Sequence, residues 1–247
     1  MASIESHQAI SEAERRSSRQ DGEEDGSEIG PLAGIDQRLH GKTPRAPHVC
    51  SQRGLDAAAI ALQVLRDAVG SDAVTEDTLR GAALTAHRQI LSEQQERPEL
   101  ARMATTLTAV ACRPGSMLGV HCGDSRASIA RGNGIIRLTV DHSEKERLLR
   151  AGKLTKEAAA DYPRHNILES ALGIHGEVKI DTFYFDLQQG DRVFLTTDGV
   201  HEKVFLREMR DVSERHTSAK AFASEMADLV VSRVPRDNFS LVCIFTS

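Results

Sequence analysis

Residues 117–134 read M-L-G-V-H-C-G-D-S-R-A-S-I-A-R-G-N-G. Met117 to Cys122 is an apolar run, Gly123 frees the backbone, Ser125 to Arg131 continues, and Asn133-Gly134 supplies the positive φ that a hairpin turn needs. The stretch therefore commits this part of the chain to antiparallel strands, with Asp124 at the bend between two of them. The bland reading of such an aspartate is a turn carboxylate that bonds to its own backbone.

Upstream of the Pro114-Gly115 break, Thr106, Thr108 and Val110 alternate with Leu107, Ala109 and Ala111. Small residues on both faces suit a strand held between another sheet and a helix. Further strands are predicted over Asp181 to Leu187 and Arg192 to Thr197, around a Gly190-Asp191 turn, and over Phe239 to Phe245. Helical spacing is read from Arg53 to Val69, from a Thr75 N-cap through Ile90, and from Ser218 to Val234 before Pro235. Ser143 should cap Glu144 to Arg150 with Glu146 completing a capping box, and Thr155 precedes Lys156 to Asp161. His87 is expected at the surface or half-buried, and His142, at a strand end, is expected to order its loop rather than to catalyse.

Even composition from about residue 54 onward places one domain over residues 31–247, preceded by a polar segment, residues 1–30, that reads as solvated and loop-like. Aromatic residues make up 4% of the chain and Trp is absent, so the core must be aliphatic. The formal charge of −5 is spread without a basic stripe, which argues against nucleic acid as a partner. Cys50, Cys112, Cys122 and Cys243 include no CxxC pair and suggest buried thiols rather than zinc or disulfides. The start lacks the basic and apolar regions of a secretory signal, and no run approaches the ~18 apolar residues of a membrane span. The expectation is a cytoplasmic protein with no membrane partner.

Two more acidic dipeptides, Asp198-Gly199 and Asp237-Asn238, fall directly beside apolar strand-like runs. With Thr105-Thr106, G-D-S-R-A at 123–127, D-H-S at 141–143, N-I-L-E-S-A-L-G at 166–173, G-D-R-V-F-L-T-T-D-G-V at 190–200 and D-N-F-S at 237–240, they stand in an order that resembles the metal-dependent protein phosphatases of the 2C type. The resemblance covers roughly the last three fifths of the chain. It implies an α+β fold, a four-layer α/β/β/α sandwich of two packed antiparallel sheets flanked by helices.

The same resemblance implies phosphoserine and phosphothreonine hydrolysis by a metal-activated water, phosphorylated proteins as substrates and a serine/threonine kinase as counterpart. Asp198 and Asp237 correspond to core metal ligands, Gly199 belongs to the same motif, and Asp124 corresponds to a ligand of a third, looser ion. An aspartate at the end of a buried strand is held rigidly, and Gly199 would let a metal or its waters approach. Asp36 stands in the bridging place, while Arg16, followed by Gln20 and Asp21, matches the phosphate-gripping motif, with Asp21 behind the ligands. Aspartates converging at strand ends without a His or Cys cluster specify a hard cation, Mg²⁺ or Mn²⁺, and the resemblance implies two core ions and a third. Three departures, Gln37 after Asp36, Ala104 before the Thr pair and Glu169 in place of a basic residue, support the alternative of a pseudophosphatase that binds phosphoproteins.

Overall fold

The computed structural model describes residues 4–8, 32–35, 50–69, 74–235 and 237–246, with side chains from residue 54 on. Its strands are β1 (Ile4–Gln8), β2 (Leu32–Ile35), β3 (Leu107–Arg113), β4 (Ser116–Cys122), β5 (Arg126–Arg131), β6 (Gly134–Arg137), β7 (Asp181–Asp186), β8 (Arg192–Thr196) and β9 (Leu241–Thr246). The helices are α1 (Cys50–Val69), α2 (Glu76–Glu96), α3 (Glu144–Arg150), α4 (Lys156–Ala160), α5 (Asp198–His201), α6 (Leu206–Glu214) and α7 (Ala219–Ser232).

Two antiparallel sheets form, one in the order β1-β9-β8-β5-β6 and the other β2-β3-β4-β7. Strand alternation divides the core between them. Leu107, Ala109, Ala111, Val120 and Cys122 pack under α1 and α2, whereas Val110, Cys112 and Met117 point the other way, against Ala127, Ile129, Val193, Leu195, Val242 and Ile244 of the second sheet. The outer face of that sheet, with Ala130, Phe194 and Cys243, is covered by Met209, Val212, Phe222, Met226 and Val230 of α6 and α7. Three successive apolar layers between four layers of structure are what the expected sandwich requires.

Local chemistry sets the helix starts. Thr75 Oγ1 accepts the Thr78 amide at 3.1 Å, with Glu76 and Asp77 in the first turn of α2. Ser143 Oγ accepts the Glu146 amide at 3.3 Å, but the expected box does not close, because the Glu146 carboxylate turns to Arg137 at 3.2 Å. Thr155 caps α4 through the Ala158 amide at 3.2 Å.

Three further expectations are corrected. The hairpin between β5 and β6 takes its positive φ at Gly132, +51°, while Gly134 is already in β6 opposite Arg131. His87 is buried, and its Nδ1 accepts the Gly173 amide at 3.1 Å. Residues 4–8, within the segment read as loop-like, pair along β9. Short α5 and the charge-rich α6 were not expected as helices; Met209, Val212 and Ser213 form the buried face of α6. Cys112, Cys122 and Cys243 are free, buried thiols, and burial pushes them up to about 11, 11 and 12. Among the described residues no helix is long and apolar enough to cross a membrane.

Candidate metal centre

Asp124 is carried by the turn from β4 to β5, and the turn is clamped on both sides. Gly123 has φ +112°, and a β-carbon there would stand 2.4 Å from Thr106 Cγ2, so neither conformation nor space admits a side chain. Its carbonyl accepts the His142 amide at 2.7 Å, and its amide donates to His142 Nδ1 at 3.2 Å. On the other flank, Thr106 and Ser125 share a hydroxyl hydrogen bond of 2.8 Å and the Thr108 hydroxyl donates to the Ser125 carbonyl at 3.1 Å. His142 Nε2 lies 3.0 Å from Asp181 Oδ2; because Nδ1 is an acceptor, Nε2 carries the proton. Burial lowers the pKa of this imidazole, outweighing the Asp181 hydrogen bond that raises it. His142 thus orders its loop, as expected.

Asp198 opens α5 directly after β8. Thr197 locks this point to the approach of β9, its amide donating to the Ser240 carbonyl at 3.1 Å and its hydroxyl accepting the Ser240 amide at 2.8 Å. Gly199 then packs on the 237–238 segment, where a β-carbon would meet the Asn238 carbonyl oxygen at 2.5 Å. The bare Cα of Gly199 makes room for protein backbone. The result is that the Asp237 segment sits beside Asp198. Each aspartate commits one oxygen to a neighbouring amide, Asp198 Oδ1 to Gly199 at 2.8 Å and Asp237 Oδ1 to Asn238 at 2.7 Å. The ordinary turn chemistry is present, and it leaves the second oxygen of each carboxylate outside that bond.

Electrostatics link the aspartates. Burial, followed by repulsion from Asp198 and Asp141, pushes Asp124 up to about 7. Asp198 is pushed up to about 6 by burial and, less, by Asp237 and Glu202, against the Gly199 amide that lowers it. Arg126 attracts both carboxylates but is already engaged: its Nε and Nη2 reach Asp141 at 3.0 and 2.6 Å. Burial raises the Asp141 carboxyl, yet the Arg126 pair prevails and holds it below its ordinary value. The ion pair of Arg126 and Asp141 was not anticipated as part of this neighbourhood, although both residues lie inside the quoted motifs.

The donors that Asp124, Asp198 and Asp237 offer are carboxylate oxygens, which suit a hard divalent cation. Among the described residues no group of three such side chains forms a metal cluster by itself. Arg16, Asp21 and Asp36 lie outside the described residues. Beside the turn, a groove of about 780 Å³ runs between α3 and residues 169–179. Glu169, which departs from the basic residue common at that place, pairs there with Arg147 at 2.6 Å.

A family model described as protein phosphatase 2C matches residues 51–233. A curated relative, the serine/threonine phosphatase stp of Listeria welshimeri, is 35% identical over 158 residues, 64% of this chain and 61% of its own length. The chain thus matches about three fifths of that relative. The structure of the S. agalactiae serine/threonine phosphatase superposes with a TM-score of 0.77 at 24% identity, covering 99% of each chain. The catalytic domain of the phosphatase PstP, in complex with two manganese ions, superposes with a TM-score of 0.71 at 21% identity, covering 100% of this chain and 97% of that one. These structures share the sandwich of two antiparallel sheets between helices, and with the extent of the family match they lead to one conclusion: the chain belongs to the protein phosphatase 2C family.

Proposed function

We propose that this chain hydrolyses phosphoserine and phosphothreonine monoesters in proteins, with Mg²⁺ or Mn²⁺ at the Asp124, Asp198 and Asp237 neighbourhood. One observation carries the reading: Gly199 has no side chain where one would hold Asp198 apart from the Asp237 segment, so the fold brings together carboxylates that repel each other. Repulsion of that kind costs stability and is relieved by a cation. Metal-binding by a structural relative and the phosphatase activity in the relatives' names agree with it.

In this reading Asp198, Asp237 and Asp36 would hold the two core ions and Asp124 a third, looser one. A bound divalent pair supplies a water of lowered pKa and charge to stabilise the phosphoryl oxygens. Arg16 grips the substrate phosphate through paired N–H donors, with Asp21 behind the ligands. Substrates are phosphorylated proteins in the cytoplasm, and a serine/threonine kinase is the counterpart.

The test is hydrolysis of a phosphothreonine peptide by the purified chain, with Mn²⁺ titrated in and then removed by EDTA. Turnover should follow the metal and be abolished by Asp36→Asn. Folded protein that binds the phosphopeptide without turnover at any metal level would instead make it a pseudophosphatase, a phosphoprotein-binding module on the same fold.

A further inference from the structure

The turn that carries Asp124 has two independent holds. One is formed by hydroxyls, Thr106 and Thr108 on Ser125. The other is residue 142, which grips Gly123 by both its backbone and its side chain. The backbone part, the residue 142 amide on the Gly123 carbonyl, would survive any non-proline substitution. The side-chain part would not, because the Gly123 amide needs an acceptor at the position of Nδ1. A glycine at φ +112° has wide conformational freedom, so that acceptor fixes the Cys122–Gly123 peptide on one side of Gly123 while the residue 142 amide fixes the Gly123–Asp124 peptide on the other. The ring is itself fixed: its side chain is 1% exposed, its centroid lies 4.7 Å from that of His121, and Nε2 is tied to Asp181. Asp181 in turn is paired with Lys179 at 3.2 Å.

We propose that His142 is a positioning residue for Asp124, its Nδ1 holding the Gly123 amide and its Nε2–H anchoring the ring on Asp181 so that the turn keeps Asp124 in place. The inference rests on the reading of Asp124 as ligand of the looser ion. It separates positioning from packing, since a flat ring alone would fill the space, whereas the hold on Gly123 needs an acceptor on one particular side.

Two amide substitutions divide the two hydrogen bonds. His142→Asn places its side-chain oxygen near the Nδ1 position and keeps the Gly123 partner while losing Asp181. His142→Gln reaches towards the Nε2 position and keeps Asp181 while losing Gly123. The readout is Mn²⁺ binding to the full chain without substrate, followed by calorimetric titration, which separates weak from tight sites, with melting temperature recorded in EDTA. The Gln protein should lose ~10-fold or more of weak-site affinity with tight sites unchanged, and the Asn protein should lose clearly less, since it keeps the acceptor and gives up only the anchor.

Equal losses in both variants, or an unchanged weak site in the Gln protein, would overturn the proposal while leaving the phosphatase reading intact. Wild-type protein without a weak Mn²⁺ site would overturn it together with the role given to Asp124. Should the Gln protein fail to fold, Asp181→Ala, which releases the ring but spares its acceptor, is measured instead. It should weaken the same site in smaller measure, and an unchanged weak site there also overturns the proposal.

Discussion

Gly199 rests its Cα on the main-chain carbonyl of Asn238, so close that any β-carbon would lie 2.5 Å from the oxygen and 2.9 Å from Phe239 Cβ. Backbone, unlike the end of a flexible side chain, cannot swing away. Gly199→Ala should therefore displace the segment bearing Asp237 from Asp198, destabilising the protein by roughly 1–3 kcal/mol. Thermal melts with and without Mn²⁺ check this, and the metal-induced rise in Tm should shrink along with the base value. An alanine variant that keeps both would show that the two aspartates do not depend on this contact.

The carboxylates also set a pH dependence. In metal-free protein Asp124 and Asp198 titrate at about 7 and about 6, whereas in the unfolded chain both ionise near ~4. The folded state then holds more protons across that interval, so stability present below about pH 4 falls as pH rises towards 7. Asp198→Asn should raise metal-free stability at pH 8 by on the order of 1–3 kcal/mol and change little at pH 4. Urea unfolding in EDTA at the two pH values measures the difference; equal effects at both would contradict the assignment. Added metal must displace these protons, so its affinity should climb over the same interval.

A buried ion pair far from these aspartates gives a control of different character. Asp191 is 0% exposed and accepts from Arg131 Nε at 2.7 Å, Arg131 Nη2 at 2.6 Å and the Gln188 amide at 2.7 Å. Asp191→Ala strands those donors, although Arg131 is close enough to solvent to rehydrate in part. A loss of about 2–4 kcal/mol is expected in denaturant titration, with turnover per folded molecule unchanged.

Strain offers the opposite sign. Two residues beyond α7, past its C-cap Arg233, Val234 has φ +50°, a left-handed position at which glycine or asparagine is usual, and Pro235 follows. Val234 is 72% exposed, so its side chain brings little burial in return. Val234→Asn should stabilise by about 1 kcal/mol, read as a rise in Tm.

Elements whose signals lie in neighbouring residues were legible before any coordinates. The alternation through β3, the apolar run of β4, the Thr75, Ser143 and Thr155 caps and the apolar spacing of α1, α2 and α7 all fall where patterning puts them. Corrections arise where the partner is distant or the element is short. His87 is buried because Gly173, 86 residues away, needs an acceptor, and nothing near His87 reports that. The four residues of α5 are too few to show a period, which hid the fact that Asp198 begins a helix. At the candidate site, Asp124, Asp198 and Asp237 were legible as acidic residues in ordered motifs. The packing role of Gly199 was not, since Asn238 lies on another strand's approach; nor was the engagement of Arg126 by Asp141.

In the order β1-β9-β8-β5-β6, the last strand along the chain is an interior one, inserted between β1 and β8. During synthesis, therefore, β8 and Asp198 emerge from the ribosome before the segment that must lie beside them exists. Until β9 slots in, Thr197 has no Ser240 to hold and Asp198 has no Asp237 to repel. A chain still being made carries only half of the acidic pair, so the metal site proposed above would be completed only with closure of the sheet.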